Sequence, residues 1–352
     1  MAWTVFQEGE PAEFHMPAWG WLLVLLNAII LLPVSLLVNY TLFHIYPVFT
    51  IIEDENPPAY EPLAFPSNGD GLDEEAATGS TTKPTDGAAR TVTSSLRSIN
   101  RLLTSYGGFR ANFRGIMLAF TQSLLTSIVA AIFSWGPVQP FAELLASLVM
   151  VQFGAAWVHI VISQPSPRPF WRRLPPFKRA FDATWKAIVL YWAAAQVHQW
   201  VPVLLAGLIG FDAPTMANLK SGGASDALRD GDISYLIKAT IYILLSTMLY
   251  IVVIIPARVI VIRIQASLLP EDEDPIIPFD RSFTGKVEPA IVGGRGYATI
   301  SDAWSTFSKA AWRRVVILYA KIMAIFVAVS LLSWAILLPT CFAIIKAGTK
   351  SN

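Results

Sequence analysis

Trp312-Arg313-Arg314-Val315-Val316-Ile317 opens the last apolar stretch of the chain, and beyond Lys321 no Asp, Glu, Lys or Arg occurs from 322 to 345. About 20 apolar residues suffice to cross a bilayer as helix, so this stretch reads as a membrane span entered through an aromatic and a base. Upstream, the same order of residue types recurs as Trp185-Lys186-Ala187-Ile188-Val189-Leu190 and as Phe113-Arg114-Gly115-Ile116-Met117-Leu118. Three such entries, each feeding an apolar run, point to a threefold internal repeat. Further charge-free windows at 14–52, 115–142, 144–167, 187–211 and 239–257 bring the expected spans to six.

Composition agrees. Of 352 residues, 54% are hydrophobic and 14% charged, against about 25% charged in soluble domains. That excludes a soluble single domain. The net charge of +1 leaves no basic surface for nucleic acid, and one cysteine, Cys341, excludes a disulfide scaffold. The first apolar run follows Glu8, Glu10 and Glu13 rather than a positive n-region, so no cleavable signal is expected.

The bases orient the chain. Lys83 to Arg114 lie between spans 1 and 2, Arg168 to Lys186 between 3 and 4, and Arg258 to Arg314 between 5 and 6. With Lys321 counted beside them, 21 of the 26 bases fall on one face, which also sets both termini on the other. The expected fold is an all-α integral membrane protein. It has six transmembrane helices as three pseudo-repeated pairs, with short amphipathic helices between pair members. Those helices are read from Leu96, Ile99, Leu102, Leu103 and Tyr106, from Phe177, Phe181 and Trp185, and from Ile300, Trp304, Phe307 and Ala311. The expected division is an acidic segment 1–17, repeat 1 at 18–136, repeat 2 at 137–212, a polar loop 213–234, repeat 3 at 235–345 and a tail 346–352. Repeat 1 carries a Pro/Gly/Ser/Thr-rich insertion, 53–93, whose composition reads as disordered. Repeat 3 carries a second, 270–298, in which Gly294-Arg295-Gly296 reads as a flexible loop.

At these residues the chain resembles the mitochondrial carrier family. Gly108, then Phe113-Arg114-Gly115 after four residues, is similar to that family's even-helix signature, with Gly107 where an acid is usual. Pro256, Arg263 and Gln265 are similar to its odd-helix signature. Pro33 reads as the kink in repeat 1, and Gln164 is what repeat 2 keeps. Ser35, Trp157 and Arg258 stand where the family has its acids, and Val38, Ile160 and Val261 where it has the matching bases. The resemblance implies three repeats around an axis, a mitochondrial membrane, and a small solute moved through the axis without the usual closing network. It equally admits a scaffold, adaptor or insertase built on the same fold.

Polar residues inside spans are the candidate sites. By the resemblance, Lys321, Gln122, Gln196 and His198 lie at the depth of solute contacts, and Lys321 implies an anionic or zwitterionic solute. A snorkelling Lys321 is the other reading. His159 and Asn39 read as packed, hydrogen-bonded residues. No metal-ligand spacing, nucleophile set or cofactor fingerprint occurs in the sequence, so no enzyme activity and no cofactor are expected. Pro57-Pro58-Ala59-Tyr60 has the Pro-Pro-x-Tyr form bound by WW domains. It implies a WW-domain partner and, as an alternative setting, an endomembrane protein recruiting a ubiquitin ligase. The lipid bilayer is the partner every reading shares.

Overall fold

The computed structural model describes residues 17–54, 92–135, 138–211 and 233–348. Among them there are helices, turns and one isolated β-bridge between Ser163 and Pro275, and no strand. The helices are α1 (Ala18–Leu36), α2 (Tyr46–Ile52), α3 (Leu96–Gly107), α4 (Ile116–Phe133), α5 (Ala142–Val149), α6 (Val151–Ile162), α7 (Phe177–Leu208), α8 (Ile233–Leu249), α9 (Ile255–Ser267), α10 (Ile300–Ser305) and α11 (Lys309–Gly348).

Five continuous helical stretches are long and apolar enough to cross a membrane, Ala18–Ile52, Leu96–Phe133, Phe177–Leu208, Ile233–Ser267 and Lys309–Ile344. The pair Gln139–Val149 and Val151–Ile162, bent by 52° at the break, makes a sixth if it is counted as one span. Span 3, expected as one helix over 144–167, is therefore broken at Met150. Span 5 also outruns its charge-free window. Helix continues through Arg258 and Arg263 to Ser267, so these two bases belong to the helix and not to a loop.

Two stretches widen into π-helical turns, Leu37–Ile45 and Tyr250–Ile254, each ending two residues before a proline, Pro47 and Pro256. Proline has no N–H to give the carbonyl four residues back, and wider turns absorb the mismatch. The proline sharing Pro256's local geometry is Pro47, while Pro33 lies inside regular α1.

The three connections differ. Leu96–Gly107 is a separate amphipathic helix with Ile99 and Leu103 buried, capped by Ser95 and ended at Gly107-Gly108. The Phe177 stripe is not separate. Nothing between Phe177 and Lys186 breaks a helix, so it forms the first turns of α7. In the third, Thr299 and Asp302 make a reciprocal capping box that starts α10.

The chain forms two units, each described by itself. One comprises residues 1–45 and 317–352, the other 46–316. In the first, Asn27 Nδ2 donates to Thr340 Oγ1 at 3.0 Å, and Phe43 meets Phe326 edge-to-face. In the second, α2, α6 and α9 pack pairwise on one another. All of α2 is buried, with Val158, Val161 and Ile162 of α6 and Val259, Ile260 and Ile264 of α9. Ala180, Ala183 and Ala187 form the small-residue stripe of α7 that packs against α6 and α9. Outward, apolar stripes remain exposed, such as Leu22, Leu25, Ile29 and Leu32 on α1 and Met117, Phe120, Leu124 and Ile128 on α4. At about 25 cal/mol per Å² these stripes suit lipid far better than water, consistent with an integral membrane protein.

Candidate functional site

The sequence candidates take different partners. Gln122, on α4, has its amide nitrogen 3.6 Å from where a Cβ on Gly154 would stand, and that of Gln265 is 2.9 Å from the same point. The missing side chain of Gly154 leaves room for the Gln265 amide, which a Cβ there would crowd. Beside them, His159 Nε2 meets the Gln265 carbonyl at 2.9 Å, so His159 is packed and hydrogen-bonded. Gln196 is engaged within α7, accepting from Trp200 Nε1 at 3.1 Å. His198 faces α8, with Ser246 Oγ at 3.4 Å and the Tyr250 ring against it. Lys321, in the other unit, is exposed on one stripe with Ile317 and Ala324. Pro57, Pro58 and Tyr60 lie outside the described residues.

The bases do work that counting them did not reveal. An α-helix ends in carbonyls without intrahelical donors and a partial negative charge. Arg114, which opens span 2, donates to the Ser163 carbonyl at the end of α6. Arg314, which opens span 6, donates to the Glu53 carbonyl just past α2, at 3.4 Å. Arg281 reaches the Pro270 carbonyl beyond α9 at 2.9 Å. Lys186 behaves otherwise and lies over the Trp185 ring.

Around these ends the two insertions are held. The 53–93 insertion begins and returns on one carboxylate. Buried Glu53 accepts from Val92 N at 2.5 Å, from Thr93 N at 3.1 Å and from the Thr93 hydroxyl. Its expected disorder thus does not extend to 53 or 93, and 55–91 lie outside the described residues. The 270–298 insertion is packed, with Phe283, Val287 and Ala298 buried together. The Gly294-Arg295-Gly296 turn is packed too, since a Cβ on Gly294 would stand 2.4 Å from Glu288, and the Gly296 carbonyl accepts from Arg179. Arg173 pairs with Glu273 at 2.5 Å and bonds Ser163 Oγ at 2.6 Å.

Polar and charged groups come together at the ends of α2 and α9, in a cavity of about 170 Å³. Arg263 lines it at 8% exposure. Its guanidinium stands between the rings of Phe283 and Phe307, 4.9 and 5.1 Å from their centroids. It donates to Thr306 Oγ1 at 2.8 Å and to the Ile51 carbonyl at 3.4 Å. Asp54, Asp280, Thr284 and Ser308 line the same space. Burial pushes the Asp280 carboxyl upward, but hydrogen bonds from the Ser282 hydroxyl and the Thr284 and Ser282 amides, with the charge of Arg263, outweigh it and hold the group below its usual range. A second, mainly apolar groove of about 490 Å³ lies in the other unit, beside the Asn27–Thr340 bond. The sequence counted Arg263 among the bases between spans 5 and 6 and also set it beside Pro256 and Gln265 by spacing, but neither reading made it a site candidate. No group of His, Cys, Asp and Glu among the described residues has the geometry of a metal centre.

No family model matches the chain, and no curated protein or solved structure is similar to it.

Proposed function

We propose that the chain is a carrier-like multi-pass membrane protein that moves a small anionic or zwitterionic solute along an axis between its odd-numbered spans. The observation that carries this reading is the convergence of α2, α6 and α9, the ends of spans 1, 3 and 5, each packed on the other two. A cyclic order of spans is also supported by the arginine caps, with the entry of span 2 tied to the end of span 3 and the entry of span 6 tied to the end of span 1. A mitochondrial membrane is the proposed setting, on the resemblance of Phe113-Arg114-Gly115 and Pro256 to carrier signatures.

A non-transporting scaffold or insertase on the same frame is the second reading. What favours it is the nature of the closing contact. Ile51, Ile52, Val161, Ile162 and Ile264 are fully buried where a transporter needs an opening seam, and packed apolar contacts of this kind separate less readily than ion pairs exposed to water.

Purified protein in liposomes decides between them. Uptake of labelled small anions and zwitterions above protein-free liposomes is the expected result, and its loss in Lys321→Ala identifies Lys321 as a solute contact. Equal uptake by both removes Lys321 from the mechanism. No uptake by either supports the scaffold.

A further inference from the structure

The last turn of a helix leaves backbone groups without helical partners, and a segment laid across several such ends can tie them together. Helix α9 ends at Ser267, and Pro270, Pro275 and Pro278 keep the chain beyond it from continuing as helix. At the end of α6, Gln164 N donates to the Asp274 carbonyl at 2.9 Å and Ile276 N to the Ile162 carbonyl at 2.8 Å. Just past α2, Asp54 N donates to the Pro278 carbonyl at 2.9 Å. Three alternate residues of one segment, itself continuous with α9, thus join the ends of spans 1, 3 and 5. Ser163 and Pro275 form the β-bridge between the first two bonds. They occupy the non-hydrogen-bonded position of an antiparallel pair, where the N–H that proline lacks is not needed.

The closed segment holds strain. Phe283 and Thr284 both adopt left-handed backbone, at φ 51° and 57°, which costs about 1–2 kcal/mol per residue. The surroundings enforce it. The Asp280 carboxylate accepts from the Ser282 and Thr284 amides at 2.8 and 2.6 Å, and buried Phe283 lies 4.9 Å from the Arg263 guanidinium. At the start of the segment Glu273 pairs with Arg173, and Arg281 folds back to the Pro270 carbonyl at 2.9 Å. Strained backbone that its neighbours over-determine is characteristic of switch regions.

We infer that residues 273–287 form a latch that opens as one unit while α2, α6 and α9 stay folded, and that its opening unties spans 1 and 3 from span 5. Opening breaks three main-chain bonds and releases the strain at Phe283 and Thr284, while the helices keep their internal bonds. What the latch gates rests on the transport reading; that it opens does not.

Hydrogen exchange of the full-length protein in detergent tests the opening. Amides of 273–287 are expected to exchange together and faster than those of 259–264 in α9. A variant with Ser163→Cys and Pro275→Cys, on a Cys341→Ser background, provides a lock. The two Cα atoms of such a pair stand about 4.5 Å apart, within disulfide range. Oxidation, confirmed by thiol titration, is expected to slow the latch to the exchange rate of α9, and reduction to restore it. Thermal melting of the reduced variant checks its folding, and should it not fold, exchange of the parent decides alone. Latch amides that exchange no faster than those of α9 overturn the proposal. So do thiols that fail to join, or exchange that oxidation leaves unchanged. In liposomes, uptake is expected to be lost on oxidation and regained on reduction, and uptake indifferent to oxidation overturns the gating role. Latch exchange as expected with no uptake by the parent leaves the latch standing and removes the transport reading.

Discussion

Arg114 and Ser163 are 49 positions apart, yet the Arg114 guanidinium donates to the Ser163 carbonyl. The residue that opens one span thereby closes the end of the next, where helix α6 has spent its own donors. Removing the arginine leaves that carbonyl short of a charged donor in a half-buried place. A hydrogen bond to a charged group contributes about 1.5–3 kcal/mol. Arg114→Ala is therefore expected to lower stability by about that range, read as a fall in the melting temperature of the detergent-solubilised protein. Arg114→Lys should recover part of the loss, because it keeps a donor. A melt unchanged in both would mean that the contact contributes nothing.

Gly115 follows directly, and its backbone is left-handed, at φ 70°. A Cβ there would also stand 3.1 Å from the Trp157 ring. Left-handed geometry costs an ordinary residue about 1–2 kcal/mol, so Gly115→Ala is expected to destabilise by at least that. Gly207 is the internal control. It is helical with nothing within 4 Å of the added carbon, and alanine there should stabilise by up to about 1 kcal/mol. Melts that move in the same direction for both substitutions would refute the backbone explanation for Gly115.

The apolar spans were legible because lipid tolerates so few charges that their absence marks a helix directly. The break at Met150 was not, since Val149-Met150-Val151 carries no Gly or Pro to announce it. The fate of individual charges was legible only in part. Glu53 looked like a loop residue and Arg263, though spaced from Pro256 as in an odd-helix signature, gave no sign of its surroundings; both are buried because partners distant in sequence, Phe283, Phe307 and Thr93, surround them. Periodicity says which face of a helix is apolar but nothing of what a loop 20 or 40 residues away will lay over it. The same blindness scattered the solute candidates. Gln196 bonds Trp200 one turn away, and Gln122 lies against Gly154 of α6.

Asp280 makes stability depend on acid. Burial opposes its charged form, but the Ser282 and Thr284 hydrogen bonds and Arg263 prevail, so its folded-state value lies below its unfolded one. Between those two values the unfolded chain binds more protons than the folded one, and stability rises with pH. The contribution is complete above the ordinary carboxylate range and is lost as pH falls below about 4. Asp302, depressed by the Thr299 hydrogen bonds against its own burial, adds to the same limb. Asp280→Asn is expected to flatten the acid limb of a melting-temperature profile between about pH 5 and 3. An acid limb as steep in the variant as in the parent would assign it to other groups.

Two ion pairs tie the same two connections together and should differ sharply in weight. Arg173 and Glu273 are 6% and 12% exposed, with Nε donating to Oε1 at 3.0 Å and Nη2 to Oε2 at 2.5 Å. The Glu273 carbonyl is taken up by Arg281 in turn. Arg168 and Asp272 meet at 3.1 Å, but both side chains are 61% exposed. Water screens the second pair, and exposed pairs contribute at most about 1 kcal/mol. Breaking a buried pair strands the surviving charge and costs about 3–5 kcal/mol. Arg173→Ala and Glu273→Ala are each expected to fall in that range, while Arg168→Ala and Asp272→Ala stay within about 1 kcal/mol. In the double variant Arg173→Met with Glu273→Leu no charge is left unpaired, so it should be more stable than either single alanine variant. Double-mutant cycles on denaturant or thermal unfolding measure both couplings. Equal couplings for the two pairs would show that burial does not set their strength, and a double variant as unstable as the single ones would show that the cost lies in lost packing and not in a stranded charge.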